Sequence, residues 1–154
     1  MTPEQTQLAE ALAAELHLKP APGCDGHWAR VFSLPEGGKL YVQSGRQRGQ
    51  LHLSASVEAG LRDHRPYYRD GEAPKTEINV SEAKGAKRIA ADVRRRLLPE
   101  YEREASACKV NKARHEDYNA KRILALTHRR PRGGSRTTAS SNNRLTNVFA
   151  FISK

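Results

Sequence analysis

KTEINVSEAKGAKRIAADVRRRLLP, residues 75–99, contains a change of hydrophobic period around which the rest of the chain can be ordered. Thr76, Ile78 and Val80 alternate with Glu77 and Asn79, which predicts a half-buried strand. Ser81 ends the alternation and is placed to cap the next element, with Glu82 suited to a helix N-terminus. Ala83, Ala86, Ile89, Ala90, Val93 and Leu97 then recur three and four residues apart, so they share one helical face. The other faces carry Lys84, Lys87, Arg88, Arg94, Arg95 and Arg96, against Glu82 and Asp92. Pro99 disfavours helical geometry at Leu98 and predicts a break or kink there.

Upstream, Thr2, Pro3 and Glu4 make a helix start: a capping hydroxyl, proline at the first helical position and an acid in the first turn. Leu8, Ala11, Leu12 and Leu16 form its apolar stripe, so residues 3–18 read as a structural helix that Pro20, Pro22 and Gly23 end. Residues 27–57 read as an antiparallel meander. Two glycine-bearing turns, PEGG at 35–38 and GRQRG at 45–49, separate its strands. In the last of these Leu51, Leu53, Ala55 and Val57 point one way, and Gln50, His52, Ser54 and Ser56 the other. That alternation implies a sheet with one apolar and one polar face. With the strand at 75–80, the expectation is an α+β fold: an N-terminal helix, a four-stranded antiparallel sheet and C-terminal basic helices packed on one face. Residues 1–98 would form the core domain.

Residues 58–74, EAGLRDHRPYYRDGEAP, are a long connection for a compact domain. Arg62, Arg65 and Arg69 interleave with Tyr67 and Tyr68, a pattern suited to clamping phosphates and stacking on bases. The other reading is that Leu61, Tyr67 and Tyr68 cover one edge of the sheet.

After Pro99, residues 99–127 read as a helical extension with few breakers. Tyr101, Ala105, Cys108 and Lys112 fall on one line before the apolar register drifts, so either one long helix rotates its contact face or two helices meet near Asn111. Its sparse apolar content leaves room for a homodimer. Residues 128–144, HRRPRGGSRTTASSNNR, offer no face to bury and read as a flexible basic arm carrying Arg129, Arg130, Arg132 and Arg136. Residues 145–154 turn apolar again, which suggests docking as an edge strand or on a partner.

The 154 residues include 27 Lys and Arg against 17 Asp and Glu, a formal net charge of +10. Residues 81–136 hold 16 of the basic and 7 of the acidic residues, a net of +9, which leaves only +1 for the rest. Such a concentrated excess favours an anionic partner, with nucleic acid (DNA or RNA) first, an acidic protein surface, such as a host protein's, second and anionic lipid third. No secretory signal is visible and no apolar run approaches membrane-spanning length, so the chain reads as cytoplasmic with no membrane partner.

The search for catalytic chemistry is short. Cys24 and His27 have C-x-x-H spacing, and Cys108 and His115 are candidates for two more zinc ligands. The second pair sits seven residues apart on a predicted helix, about two turns, which is poor geometry for one metal. The same separation weakens Cys108 and His115 as nucleophile and base. The chain carries no Walker loop, no G-x-G-x-x-G and no G-x-S-x-G. The expectation is a protein with no catalytic residues, no metal and no cofactor.

The order helix, three strands, helix over residues 3–98 resembles that of double-stranded RNA-binding domains. In those domains, basic residues at the start of the second helix straddle phosphates across a groove. SEAKGAKRIAADVRRRLL is similar in character to that helix, with Lys84, Lys87 and Arg88 at the matching end. Separately, INVSEAKGAKRIAADVRRRLLPEYERE resembles segments of small uncharacterised proteins from phages and integrated elements, which implies a mobile-element origin. The preferred expectation is nucleic-acid binding through phosphates, using Lys84, Lys87, Arg88, Arg94, Arg95 and Arg96 and the arm, with Tyr67 and Tyr68 as stacking candidates. The alternatives are a phage-type inhibitor of a host protein or nucleoprotein defence complex, and a virion assembly component.

Overall fold

A computed structural model describes residues 1–22, 28–69 and 73–127. The chain divides into two compact units, Met1–Ala120 and Lys121–Lys154. Of the second, only residues 121–127 are described, so the arm at 128–144 and the apolar segment at 145–154 lie outside the described residues.

Helix α1 spans Pro3–Leu16 and starts as its sequence predicts. The Thr2 hydroxyl accepts the Gln5 N–H at 3.2 Å, and the Gln5 side chain accepts the Thr2 N–H at 3.0 Å, so two otherwise orphaned donors are satisfied reciprocally. Gln5 is buried for a further reason: its amide nitrogen donates to Glu82 at 2.6 Å while its oxygen accepts from Ser44 at 2.7 Å. The start of the helix is thereby tied to both the sheet and the entry of the later helices.

The strands are β1 (Lys19–Pro20), β2 (Ala29–Ser33), β3 (Lys39–Ser44), β4 (Gln50–Ser56) and β5 (Glu77–Ser81), antiparallel in sequential order. Among the described residues the expected four-stranded sheet therefore has five strands. The extra one is a two-residue pairing of Lys19 with Ser33 and Pro20 with Phe32, too short to show any period in the sequence. The register explains the two faces. Phe32 opposes Leu40, Leu40 opposes Ala55, Val42 opposes Leu53, and Leu53 opposes Ile78, all buried on one side. Tyr41, Ser54 and Glu77 form a row on the other.

A short helical turn, α2 (Ala59–Arg62), buries Leu61 in the core. Beyond β5, Ser81 makes no side-chain cap; Glu82–Lys84 form a 3-10 turn instead. Gly85 then takes φ +68°, a conformation that costs glycine little, and redirects the chain into α3, Gly85–Asp92. Ile89, Ala90, Val93 and Leu97 are fully buried against α1 and the apolar sheet face.

The break expected at Pro99 takes another form. Val93–Leu97 is a π turn, closed by the Leu98 N–H on the Val93 carbonyl, and the chain continues directly into α4, Leu98–Thr127. In an α-register Pro99 would offer no N–H to Arg95 and would press its ring on that carbonyl; the wider turn just before it absorbs the conflict. Residues 98–127 are one helix, with Tyr101, Glu104, Ala105 and Cys108 buried. Each fully buried leucine contributes roughly 1.5–3 kcal/mol, against about 0–1 kcal/mol for an exposed ion pair. Leu12, Leu40, Leu51, Leu53 and Leu97 therefore hold this fold more than its many charges do.

Candidate functional site

The burial of Ile89, Ala90, Val93 and Leu97 leaves Lys84, Lys87, Arg88, Arg94, Arg95 and Arg96 exposed. Asp92 sits among them as an organising anion. It accepts from Lys84 Nζ at 2.7 Å and from Arg95 at 3.0 Å, and its side chain is 12% exposed. The Lys84 hydrogen bond, reinforced by the positive charge of Lys84, Arg95 and Arg96, holds its carboxyl below the usual carboxylate range despite partial desolvation. Lys84, Arg88, Ala91, Asp92 and Arg95 line a shallow cleft of about 360 Å³.

Three consecutive arginines on a helix project about 100° apart, so they cannot share one direction. Arg94 turns towards α1 and donates to the Glu15 carbonyl, one of the unsatisfied groups at that helix's C-terminal end. Arg95 reaches Asp92. Arg95 and Arg96 also line a second cleft, of about 460 Å³, with Lys75, Glu77, Ile78, Glu100 and Arg103. Arg95 is common to both clefts, so the structure brings Lys84, Arg88, Arg95 and Arg96 into one neighbourhood. Lys87 lines neither.

Two cations that the sequence reading did not single out, Lys75 and Arg103, belong to the second cleft. Arg103 stands 3.6 Å from Glu100, whose carboxylate also accepts the Lys75 N–H at 3.3 Å. Arg103 lies seven residues after Arg96, close to two helical turns, and that spacing was the available signal. Lys75 had none, because its approach to α4 is tertiary.

The connection at 58–74 divides its two tyrosines. Tyr67 is 95% exposed, whereas Tyr68 is half-buried with its hydroxyl enclosed. Burial, then the neighbouring Cys108 and Glu104, push the Tyr68 phenol above its ordinary range. Arg65 pairs with Glu104, whose side chain is only 4% exposed; Asn111 donates to the His64 carbonyl at 2.9 Å; and the His64 and His115 rings meet edge-on at 5.5 Å. Among the described residues, neither the second Glu104 oxygen nor the Tyr68 hydroxyl has a hydrogen-bond partner. This segment is thus strapped onto α4, and Tyr68 belongs to the strap.

Cys108 lies in the core, its thiol pushed up by burial and then by Glu104, while His115 contacts His64. Cys24 and His27 lie outside the described residues, as do Arg129, Arg130, Arg132 and Arg136. Among the described residues, no group of three or more His, Cys, Asp or Glu side chains is placed to hold a metal ion, and no helix is long and apolar enough to cross a membrane. No protein-family model, no curated protein and no solved structure matches this chain significantly.

Proposed function

We propose that this chain is a non-enzymatic nucleic-acid-binding protein of mobile-element type that holds phosphates through α3 and the π turn, aided by the basic arm. The observation that carries the reading is the gathering of Lys84, Arg88, Arg95 and Arg96 around one partly buried aspartate, within the segment that holds almost all the excess charge. Asp92 restrains Lys84 and Arg95 while cancelling one charge, so the cluster stays net positive and partly preorganised. Arg88 and Arg96 make no ion pair among the described residues and are the strongest phosphate contacts. Contacts confined to phosphates carry no sequence information, so binding of this kind tolerates sequence.

The test is binding to labelled duplex DNA, single-stranded DNA and RNA over a salt series, with nuclease-treated protein. Neutralising two to five phosphates gives a log–log salt slope of about −2 to −5. Absence of binding at low salt would retire the proposal.

A second reading, an inhibitor that covers a host protein surface, is favoured by one observation. Trp28 is 77% exposed and Tyr67 95% exposed, and such aromatics are the residue types that anchor protein interfaces. Loss of partner capture on Trp28→Ala or Tyr67→Ala, with nucleic-acid binding intact or absent, would support it.

A further inference from the structure

Among the described residues, β5 lies at one edge of the sheet and pairs only with β4. The Ala55 N–H donates to the Thr76 carbonyl at 2.8 Å, and the Glu82 N–H to the Gly49 carbonyl at 3.0 Å. Hydrogen-bonded and non-hydrogen-bonded pairs alternate along an antiparallel ladder. The register between those two contacts therefore makes Ile78 and Val80 the residues that spend their main-chain groups on β4. Glu77, Asn79 and Ser81 aim theirs away from the sheet, and no hydrogen bond from a described residue meets them. Neither proline nor a bulge blunts this edge.

The second cleft adjoins the same edge on the side of Ile78, where Lys75, Arg95, Arg96 and Arg103 outnumber Glu77 and Glu100. We propose that β5 takes up an extended acidic peptide segment of a protein partner as a sixth strand. Its main chain would pair with Glu77, Asn79 and Ser81, and its alternate carboxylates would lie over Arg95, Arg96 and Arg103. Residues two apart on a strand are about 6.6 Å apart and face one way, so a Glu-x-Glu pattern is the sequence this arrangement selects.

The geometry also separates this occupant from two others. A nucleic-acid backbone presents acceptors, whereas the strand edge presents donors and acceptors in alternation, which only a peptide main chain matches. A second copy of β5 would turn Ile78 and Val80 towards the cleft and bring no further carboxylate to its cations. The inference stands independently of nucleic-acid binding.

The probe is a fluorescent peptide of about nine residues alternating Glu with Thr or Val. Its control is the same composition with the glutamates blocked together. The full chain should bind the alternating peptide about tenfold more tightly than the control, and hydrogen exchange should slow at Glu77, Asn79 and Ser81. Asn79→Pro removes an outward N–H and no main-chain bond to β4, only the side-chain hydrogen bond to His52 at 3.0 Å, and should weaken binding about tenfold while leaving nucleic-acid affinity unchanged. Arg96→Glu should weaken it similarly. Equal binding of the two peptides, unprotected amides at those three residues, or a dimer that Asn79→Pro dissolves would each overturn the proposal. If Asn79→Pro fails to fold, exchange in the unaltered protein together with Arg96→Glu still decides.

Discussion

Tyr101 stands over Gly38 so closely that a Cβ built on Gly38 would lie 2.1 Å from the tyrosine hydroxyl oxygen. The hydroxyl donates to the Pro35 carbonyl at 2.9 Å, so α4 grips the β2–β3 turn through a ring that only glycine admits. Gly38 has an ordinary φ of −70°, which makes space, not backbone freedom, the reason for glycine. Gly38→Ala should cost about 1–3 kcal/mol by overpacking, read from urea unfolding. Tyr101→Phe in the same background should restore nothing, since the ring carbons also stand within 3 Å of the new methyl. Full recovery in the double variant would mean that the hydroxyl alone makes the conflict.

Two of the three consecutive arginines should separate by assay. Arg96→Ala, like Arg88→Ala, should flatten the salt slope of nucleic-acid binding by about one unit and leave folding nearly unchanged. Arg94→Ala should do the opposite, costing about 0.5–1.5 kcal/mol through the lost Glu15 contact with little change in slope. Equal slopes for all three variants would remove the division of roles.

Arg65 is half exposed but its partner Glu104 is buried, so the pair is asymmetric. Arg65→Ala leaves a carboxylate enclosed without a cation and should cost about 1–3 kcal/mol. Adding Glu104→Gln should recover a part of that, with a coupling near 1 kcal/mol in the double-mutant cycle. Additive losses would show that the strap does not depend on this pair.

Asp92 makes the fold sensitive to acid in a defined direction. Its folded carboxyl titrates below the ordinary range, so its contribution is present above the unfolded value of about 3.9 and fades as pH falls through the folded one. Asp92→Asn should therefore be less stable than the unaltered chain at pH near 7 and converge with it towards pH near 2. Denaturant midpoints at the two pH values measure this, and a constant gap would assign the effect to packing instead of charge.

What could be read in the sequence follows the reach of the interactions. Val42, Leu51, Leu53, Ile78 and Val80 betray their strands because alternation is local, and Thr2 and Gln5 betray a cap for the same reason. β1 left no sign, since pairing Pro20 with Phe32 is a tertiary event without period. Ser81 suggested a cap, but Gly85 made the turn. The basic residues were legible as a composition, whereas their partition was not. Arg94 goes to α1, Arg95 to Asp92 and Arg96 to the β5 edge because consecutive helical residues project in different directions, and only the fold places Lys75 and Arg103 beside them. The strap of Tyr68 and Arg65 on Glu104 was hidden likewise, by separations of 36 and 39 positions along the chain.

The π turn before Pro99 also acts as a phase setting. One residue more than an α-helical turn requires is stored in Val93–Leu97, and an α-helix advances about 100° per residue. Closing the turn to α-helical register with that residue kept in line would leave the two helices end to end, yet would rotate everything beyond it by more than a quarter turn. Tyr101, Ala105 and Cys108 would leave the core together, and Tyr101 would lift off Gly38. Substitutions in this segment change charge one position at a time, whereas deleting a single residue there would let the turn close as an ordinary α-turn with the inward side of α4 unchanged. The wider turn thus lets the chain carry one arginine more than the phase of α4 requires.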